Sequence, residues 1–238
     1  MTAHEKIIYA QKCIAADWSY PKDSFIKSEN VIFETDKTFF DIITFGANAI
    51  IIADKSIINW FVDNFKTTPA NEILDSDNLY LIQTKLREYG KKLSGEHTRF
   101  MHLETEKTVQ KPQGFIYEWL EKDALQSLYA TTKFENALNY KDKKEVLSFV
   151  AKYNNEIVAI VSVDDYHTGL WQIGVDTIDA YRGKGLAAYL VKEIALESER
   201  RNQTVYYTTW TSNIASVKTA LKAGFLPAWT GYYAVDIK

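Results

Sequence analysis

Short apolar runs of strand length alternate with helical patterns along the first half of the chain. The strand-like runs are rich in β-branched and aromatic residues and occupy 31–35, 39–45, 49–53 and 99–103. Residues 5–16 and 55–65 have a helical pattern, and a third helix is predicted from about Asp77, where apolar residues recur every three to four positions. This half therefore predicts a small α/β unit.

The second half shows a longer alternation of the same two patterns. Residues 119–138 have a helical composition, and two strands at 147–153 and 156–163 flank Asn154-Asn155. Because asparagine tolerates positive φ, these two residues predict a tight hairpin. The remaining predictions are strands at 170–178 and 205–211, helices from about Gly185 to Arg200 and at 213–224, and a strand at 225–237 with a turn or bulge at Gly231.

A polar segment, TEKTVQKPQG at 105–114, separates the two halves. It carries one of the four prolines of the chain and ends in glycine, which favours a boundary. We therefore expect an N-terminal α/β domain at 1–112 and a second domain at 113–238. The fold class predicted for the whole chain is α/β, of the α+β type with a mixed sheet.

Composition and charge limit the function classes. The 238 residues include 28 basic and 31 acidic side chains, a net charge of −3, so nucleic acid and anionic membranes are not expected partners. The single cysteine, Cys13, forms no intrachain disulfide. The first ten residues do not resemble a signal peptide, and no apolar run approaches the roughly 20 residues that span a bilayer. We expect a cytoplasmic protein.

The stretch YRGKGLAAYL at 181–190 has an unusual helix start. Leu186, Leu190 and Ile194 predict an amphipathic helix that begins near Gly185. Ser, Thr, Asp and Asn, the usual capping residues, are missing from 181–187, and the first turn has no acid.

Two cations and two glycines stand where a cap would be expected. Arg182 and Lys184, together with uncapped amides and the positive helix end, favour a bound phosphate. The alternative is a plain strand-to-helix turn with solvated cations. The stretch matches neither a Walker A loop nor G-x-G-x-x-G.

Residues 182–187 read Arg-Gly-Lys-Gly-Leu-Ala and fit the pattern [RQ]-x-x-G-x-[GA]. Asn213, Ser216 and Gly224-Phe225 follow at the spacing of a second helix. In this order of elements, residues 113–238 resemble the GNAT superfamily of acyl-CoA-dependent N-acyltransferases. The weaker pattern of the first half is similar to members that carry an extra N-terminal domain.

The resemblance implies acetyl-CoA as co-substrate and direct attack of an amine on the thioester. The amides from Gly183 to Ala187 would bind the pyrophosphate, the strand at Val175–Thr177 would pair with the pantetheine arm, and Asn213 and Ser216 would contact it. The implied coenzyme-binding residues are Val175, Asp176, Thr177, Arg182, Gly183, Lys184, Gly185, Leu186, Ala187, Asn213 and Ser216.

The groups that many family members use in catalysis are missing. The strand offers Trp171, Gln172 and Ile173 in place of a glutamate, and Ala220 stands at the usual tyrosine position. An alkyl amine, with a pKa of about 10.4, must still lose a proton before attack. The candidates for acid or base are Asp165, His167, Asp176 and Tyr232. The alternatives are a polar hairpin end, a capping acid and a packing tyrosine.

Three functions therefore stay open. The leading hypothesis is an N-acetyltransferase that acts on a small-molecule amine, with the acids at 164, 165 and 176 hinting at a cationic acceptor. The second is a coenzyme-A-binding protein without turnover, and the third is a structural α/β protein. No metal is expected, because His97 and His102 lack further ligands at suitable spacing. The first domain is expected either to shape the acceptor pocket or to form a homodimer surface.

Overall fold

The computed structural model describes residues 1–130, 133–167 and 169–237 and confirms the mixed α/β class. The chain divides into two compact units. The first unit comprises residues 1–17 together with the described part of 99–226, and the second comprises 18–98 and the chain from Pro227 onward. The boundary predicted after residue 112 falls inside the first unit and stays a prediction.

Most elements lie where the apolar patterns predict them. The α-helices of the described residues are α1 Ala3–Trp18, α2 Ile58–Phe65, α3 Ser76–Arg87, α4 Leu186–Arg200 and α5 Ile214–Lys222. The strands are β1 Val31–Glu34, β2 Phe40–Thr44, β3 Ala49–Ala53, β4 Lys91–Leu93, β5 His97–His102, β6 Ile116–Glu121, β7 Glu145–Tyr153, β8 Glu156–His167, β9 Leu170–Thr177, β10 Thr204–Trp210 and β11 Phe225–Asp236.

The sheet of the first unit runs in the order β5-β10-β9-β8-β7-β6, where residues 99–102 of β5 belong to this unit. The pairs β6–β7, β7–β8 and β8–β9 are antiparallel, whereas β10 is parallel to β9 and is reached through α4. The predicted Asn154-Asn155 hairpin is confirmed, with φ of 49° and 62°. The predicted apolar face of α4 is also confirmed, because Leu186, Leu190 and Ile194 are buried against β7–β10.

The helix predicted over 119–138 is wrong. Trp119 lies in β6, where it pairs with Phe149 of β7 and stacks on its ring at 4.1 Å. A 3₁₀ helix follows at Lys122–Ala130, and residues 131 and 132 lie outside the described part of the chain. Burial alternates along β6, because one face of the strand packs on its neighbour. The contact between the Trp119 and Phe149 rings across the two strands stabilises the strand conformation more than the local helix propensity of this segment stabilises a helix.

The sheet of the second unit runs in the order β1-β3-β2-β11, with β4 also paired to β11. Strand β3 is buried over its whole length, and α2 and α3 pack on this sheet. The predicted turn or bulge at Gly231 is wrong, since Thr230, Gly231 and Tyr232 pair with β2 in unbroken register. A Cβ atom at Gly231 would lie 2.1 Å from the Ile42 carbonyl oxygen, so glycine is needed there for close approach of the backbones.

A buried polar network joins α1, the end of β5 and α4 inside the first unit. Lys6 Nζ lies 2.5 Å from Glu199 Oε1, and the same carboxylate oxygen is 2.7 Å from His102 Nδ1. On the other side of the ring, Lys192 Nζ donates to His102 Nε2 at 2.9 Å. Since Lys192 donates to Nε2, the imidazole is neutral and carries its proton on Nδ1.

This network predicts a loss of stability in acid. Burial lowers the pKa of His102 below its ordinary value of 6.5, against the opposing effect of Glu199. Burial opposes ionisation of Glu199, but hydrogen bonds from His102 and Lys6 hold its pKa at about 2, below the ordinary 4.5. The pKa values of His102 and Glu199 are both lower in the folded protein than in the unfolded chain. Each group therefore contributes its full stabilisation at a pH above its unfolded pKa, and that stabilisation is lost as the pH falls through the folded pKa.

We expect the free energy of unfolding to decrease by up to about 1 kcal/mol per pH unit below pH 6.5, as measured by urea denaturation. His102→Gln, which cannot titrate, should remove this slope above the range in which Glu199 is protonated. The exposed His4→Gln substitution is the matched control. An unchanged slope in His102→Gln would contradict the assignment.

Candidate functional site

The turn before α4 leaves the start of the helix open. Gly183 and Gly185 have φ of +77° and +83°, and no side chain caps the helix. The Gly185 carbonyl accepts from the Tyr189 amide at 3.1 Å, so the amides of residues 186–188 precede the first intrahelical bond. Left-handed glycines followed by amides without an intrahelical acceptor are features of anion-binding turns, and the phosphate role of this turn stays a prediction.

Both predicted cations lie exposed at this turn. Arg182 Nη2 forms an ion pair with Asp179 Oδ1 at 2.9 Å, and its Nε donates to the Thr177 carbonyl at 3.3 Å. Lys184 Nζ lies 5.0 Å from the centre of the Tyr181 ring. These contacts keep the two charged groups beside the turn.

The polar segment at 105–114 contacts this turn, which sequence reasoning did not predict. Pro112 Cγ lies 3.8 Å from the position of a Cβ atom on Gly185. The Tyr117 hydroxyl donates to the Pro112 carbonyl at 2.8 Å, and Lys111 Nζ lies 4.9 Å from the Tyr117 ring centre. The sequence marked this segment only as a polar boundary, because its contact with the turn is tertiary.

Strands β9 and β10 part next to the turn. Their parallel pairing runs from Leu170 with Thr204 to Ile173 with Tyr207, although both strands continue beyond that pair. Residues 174–177 remain paired with β8 on their other side. Residues 174–177 therefore have an edge with no described β10 partner, and this edge includes the predicted pantetheine-binding residues Val175, Asp176 and Thr177.

Helix α5 begins at the opening between β9 and β10, which is the place where their pairing ends. Asn213 is its N-cap, and its side-chain oxygen accepts from the Ser216 amide at 3.2 Å. Ser216 Oγ lies 2.7 Å from the hydroxyl of Tyr207, the last β10 residue paired with β9. The structure thus brings the predicted residues Asn213 and Ser216 together with Tyr207, which the sequence did not indicate because no motif includes it.

Burial raises the pKa of the Tyr207 phenol above its ordinary value, and the negative charge of Asp176 adds to this effect. The hydrogen bond with Ser216 acts in the opposite direction, but the net shift of the pKa is upward. The phenol therefore keeps its proton over the neutral range. A protonated hydroxyl at the opening can donate a hydrogen bond to a group with developing negative charge.

Asp176 anchors a loop in this structure. Its carboxylate accepts from the Asn136 and Ala137 amides at 2.8 and 2.9 Å and from the Asn136 side chain at 2.6 Å. The loop lies directly on β9, because a Cβ atom on Gly174 would come within 2.1 Å of the Asn136 carbonyl oxygen. These bonds give Asp176 a positioning role, while its catalytic role stays a prediction.

The other predicted catalytic residues lie at separate places. Asp165 is exposed near the end of β8, and His167 Nδ1 pairs with the carboxylate of Asp17 in α1. Tyr232 lies in the second unit on β11, where burial and Glu96 raise its pKa. The catalytic roles of Asp165, His167 and Tyr232 remain predictions.

Gln172, at the strand position where a glutamate was sought, is engaged on the opposite face of the sheet from Tyr207. Its side-chain oxygen accepts from the Tyr206 hydroxyl at 2.5 Å. The Tyr206 ring centre is 5.9 Å from that of His167. The amide of Gln172 is not a general base at neutral pH, so the structure supplies no carboxylate at this position.

Neither a metal site nor a membrane span emerges from the described residues. In 1–130, 133–167 and 169–237, no three His, Cys, Asp or Glu side chains are grouped as metal ligands. Within the same ranges, no helix combines the length and apolar character needed to cross a bilayer.

Comparisons with known proteins agree with this geometry. A family model described as GNAT acetyltransferase matches residues 14–230, a range that includes most of the predicted first domain. A comparison with curated proteins finds no match.

Two solved structures share the fold at low identity, and a third is similar to a lesser degree. A Drosophila protein has a TM-score of 0.52 and 13% identity over 77% of this chain and 67% of that one. A GCN5-related N-acetyltransferase from Sphaerobacter thermophilus has a TM-score of 0.50 and 16% identity over 69% and 58%, so the chain covers less than two thirds of that protein. A GCN5-related N-acetyltransferase-like protein from Streptococcus suis is 20% identical over 68% and 69%, with a TM-score of 0.49.

The family model extends over most of the sequence, and the uncapped glycine turn, the parted strands and the start of α5 lie in the order that its resemblance implied. We conclude that this chain belongs to the GNAT acetyltransferase family.

Proposed function

We propose that the protein transfers an acetyl group from acetyl-CoA to the amine of a small molecule. The observation that carries the proposal is the uncapped, cationic start of α4 beside the edge of β9 that has no β10 partner among the described residues. A cationic helix start next to such a strand edge suits a ligand with a pyrophosphate and an amide-containing arm.

The residues of the first unit fit such a ligand. The amides of 183–188, with Arg182 and Lys184, would hold the pyrophosphate. Backbone groups of residues 174–177 would pair with the amides of the pantetheine arm, as in strand addition. Thr177 Oγ1 is buried and has no hydrogen-bond partner among the described residues, so a bound ligand that reaches it would remove the cost of leaving it unpaired.

Acetyl-CoA supplies an activated acyl group, which an uncharged amine attacks directly. Amides on the β9 edge would orient the acyl oxygen and stabilise its negative charge. His167, held by Asp17, and Asp165 are the candidates that would accept the ammonium proton. The acids Asp164, Asp165 and Asp176 favour a cationic acceptor. The single buried cysteine is consistent with a cytoplasmic location.

A coenzyme-A-binding protein without turnover is the second candidate. Two observations favour it: Gln172 is engaged by Tyr206, and Ala220 is fully buried at the usual tyrosine position. This candidate predicts coenzyme binding with no acetyl transfer to any amine. The transferase is preferred because the family model that matches residues 14–230 is described as an acetyltransferase.

Calorimetric titration with acetyl-CoA tests the turn. We expect micromolar affinity, or about −8 kcal/mol, with at least a tenfold loss in Arg182→Glu because a cation at the turn becomes an anion. Gly185→Asp should lose binding too, since it adds an anion and strains a backbone at φ of +83°. Gly185→Ala separates the strain from the charge.

The matched control is Lys222→Glu, an equal charge reversal at an exposed position at the end of α5. Equal affinity in wild type, Lys222→Glu and a folded Arg182→Glu variant would contradict the phosphate assignment. If the wild-type protein bound no acetyl-CoA, both the transferase and the coenzyme-binding candidates would be wrong.

Asp176→Asn tests the anchored loop. The asparagine side chain places a donor against the donors of Asn136 and Ala137, so we expect a loss of about 1–3 kcal/mol in the free energy of unfolding. Acetyl-CoA binding should persist, because the β9 backbone is unchanged. Urea denaturation and calorimetry give the two values; unchanged stability with loss of acetyl transfer would instead support catalysis by Asp176.

A further inference from the structure

We propose that the Tyr207 hydroxyl contacts the sulfur of bound coenzyme A and donates its proton as the thioester is cleaved. This inference rests on the proposed function. It assigns an acid on β10, a strand from which the sequence analysis drew no catalytic candidate.

The first argument is position. Tyr207 pairs with Ile173 in the last rung before β9 and β10 part, and residue 174 begins the open edge. Its hydroxyl is 2.7 Å from Ser216 Oγ, which places it at the start of α5. An arm paired with residues 174–177 would therefore have its reactive end near this hydroxyl.

The second argument is protonation. Tyr207 is only 3% exposed, and burial together with the charge of Asp176 keeps the phenol neutral. Neighbouring positions that face the same core, Ile173, Val175 and Ala220, are apolar. A sulfur that enters this apolar opening meets a hydroxyl that can stabilise a negative charge in a low-dielectric setting.

The step balances as follows. The ammonium loses one proton to a base before attack; the C–N bond then forms, and the C–S bond breaks with its electron pair on sulfur. The Tyr207 proton moves to sulfur and gives a thiol and a phenolate. The second amine proton, lost as the neutral amide forms, returns through Ser216 or water to the phenolate. The net products are the amide, coenzyme A and one proton.

The chain contains a matched control on the adjacent residue. Tyr206 is also a buried β10 tyrosine, but its hydroxyl donates to Gln172 on the other face of the sheet. Tyr206→Phe and Tyr207→Phe remove the same atom from the same strand, so they differ only in the face that loses the hydroxyl.

The test is the pKa of the thiol of bound coenzyme A, followed by NMR of a labelled methylene beside the sulfur. A hydrogen bond from Tyr207 stabilises the thiolate, so Tyr207→Phe should raise this pKa by about one to two units. Tyr206→Phe should match the wild type. This readout needs no acceptor and detects an effect that a purely structural tyrosine would not produce.

A fluorinated tyrosine at position 207 is the second variant, in case Tyr207→Phe does not fold. It keeps the shape and is a stronger donor, so the thiol pKa should fall below the wild-type value. Identical thiol pKa values in these proteins, with coenzyme A bound, would overturn the role of Tyr207 and leave the proposed function standing. Failure of the wild type to bind coenzyme A would overturn both.

Discussion

The separation of β9 from β10 is the constraint on which the candidate site depends. Parallel pairing ends at Ile173 and Tyr207, so residues 174–177 of β9 have an edge without a β10 partner in the described part of the chain. Helix α4 follows β9 along the chain, and helix α5 follows β10. Because β9 and β10 are parallel, both helices begin at the same end of the sheet. In parallel α/β units the carboxyl ends of strands and the amino ends of helices meet, and a ligand held there finds amides from both.

The turn at 182–185 stabilises the start of α4 less than a usual helix cap would. A Ser or Asp cap would contribute about 1 kcal/mol to α4, yet the chain has two glycines at positive φ and no acid in the first turn. The amides of residues 186–188 have no intrahelical acceptor, because the first bond of the helix is the one from Tyr189 to Gly185. The buried apolar face of α4 and the Lys6–His102–Glu199 network hold the helix against the rest of the first unit. The stability of α4 therefore does not depend on a cap at its first turn.

The sequence predicted what is encoded locally. The apolar period of α4, the Asn154-Asn155 hairpin and the glycine turn all depend on residues a few positions apart, and all are present. Tyr207, Lys111 and the loop anchored by Asp176 owe their positions to tertiary contacts, which no local pattern contains. Trp119 shows the same limit, since its strand conformation depends on Phe149, 30 residues away along the chain.

The measurement that tests the central claim most directly is the change in backbone amide NMR signals on adding coenzyme A. The account predicts the largest shifts at residues 183–188 and 174–177, with smaller shifts at the start of α5. These shifts should saturate together at one affinity, because one ligand contacts all three segments. Binding that leaves both of the first two segments unchanged and shifts amides elsewhere would contradict it.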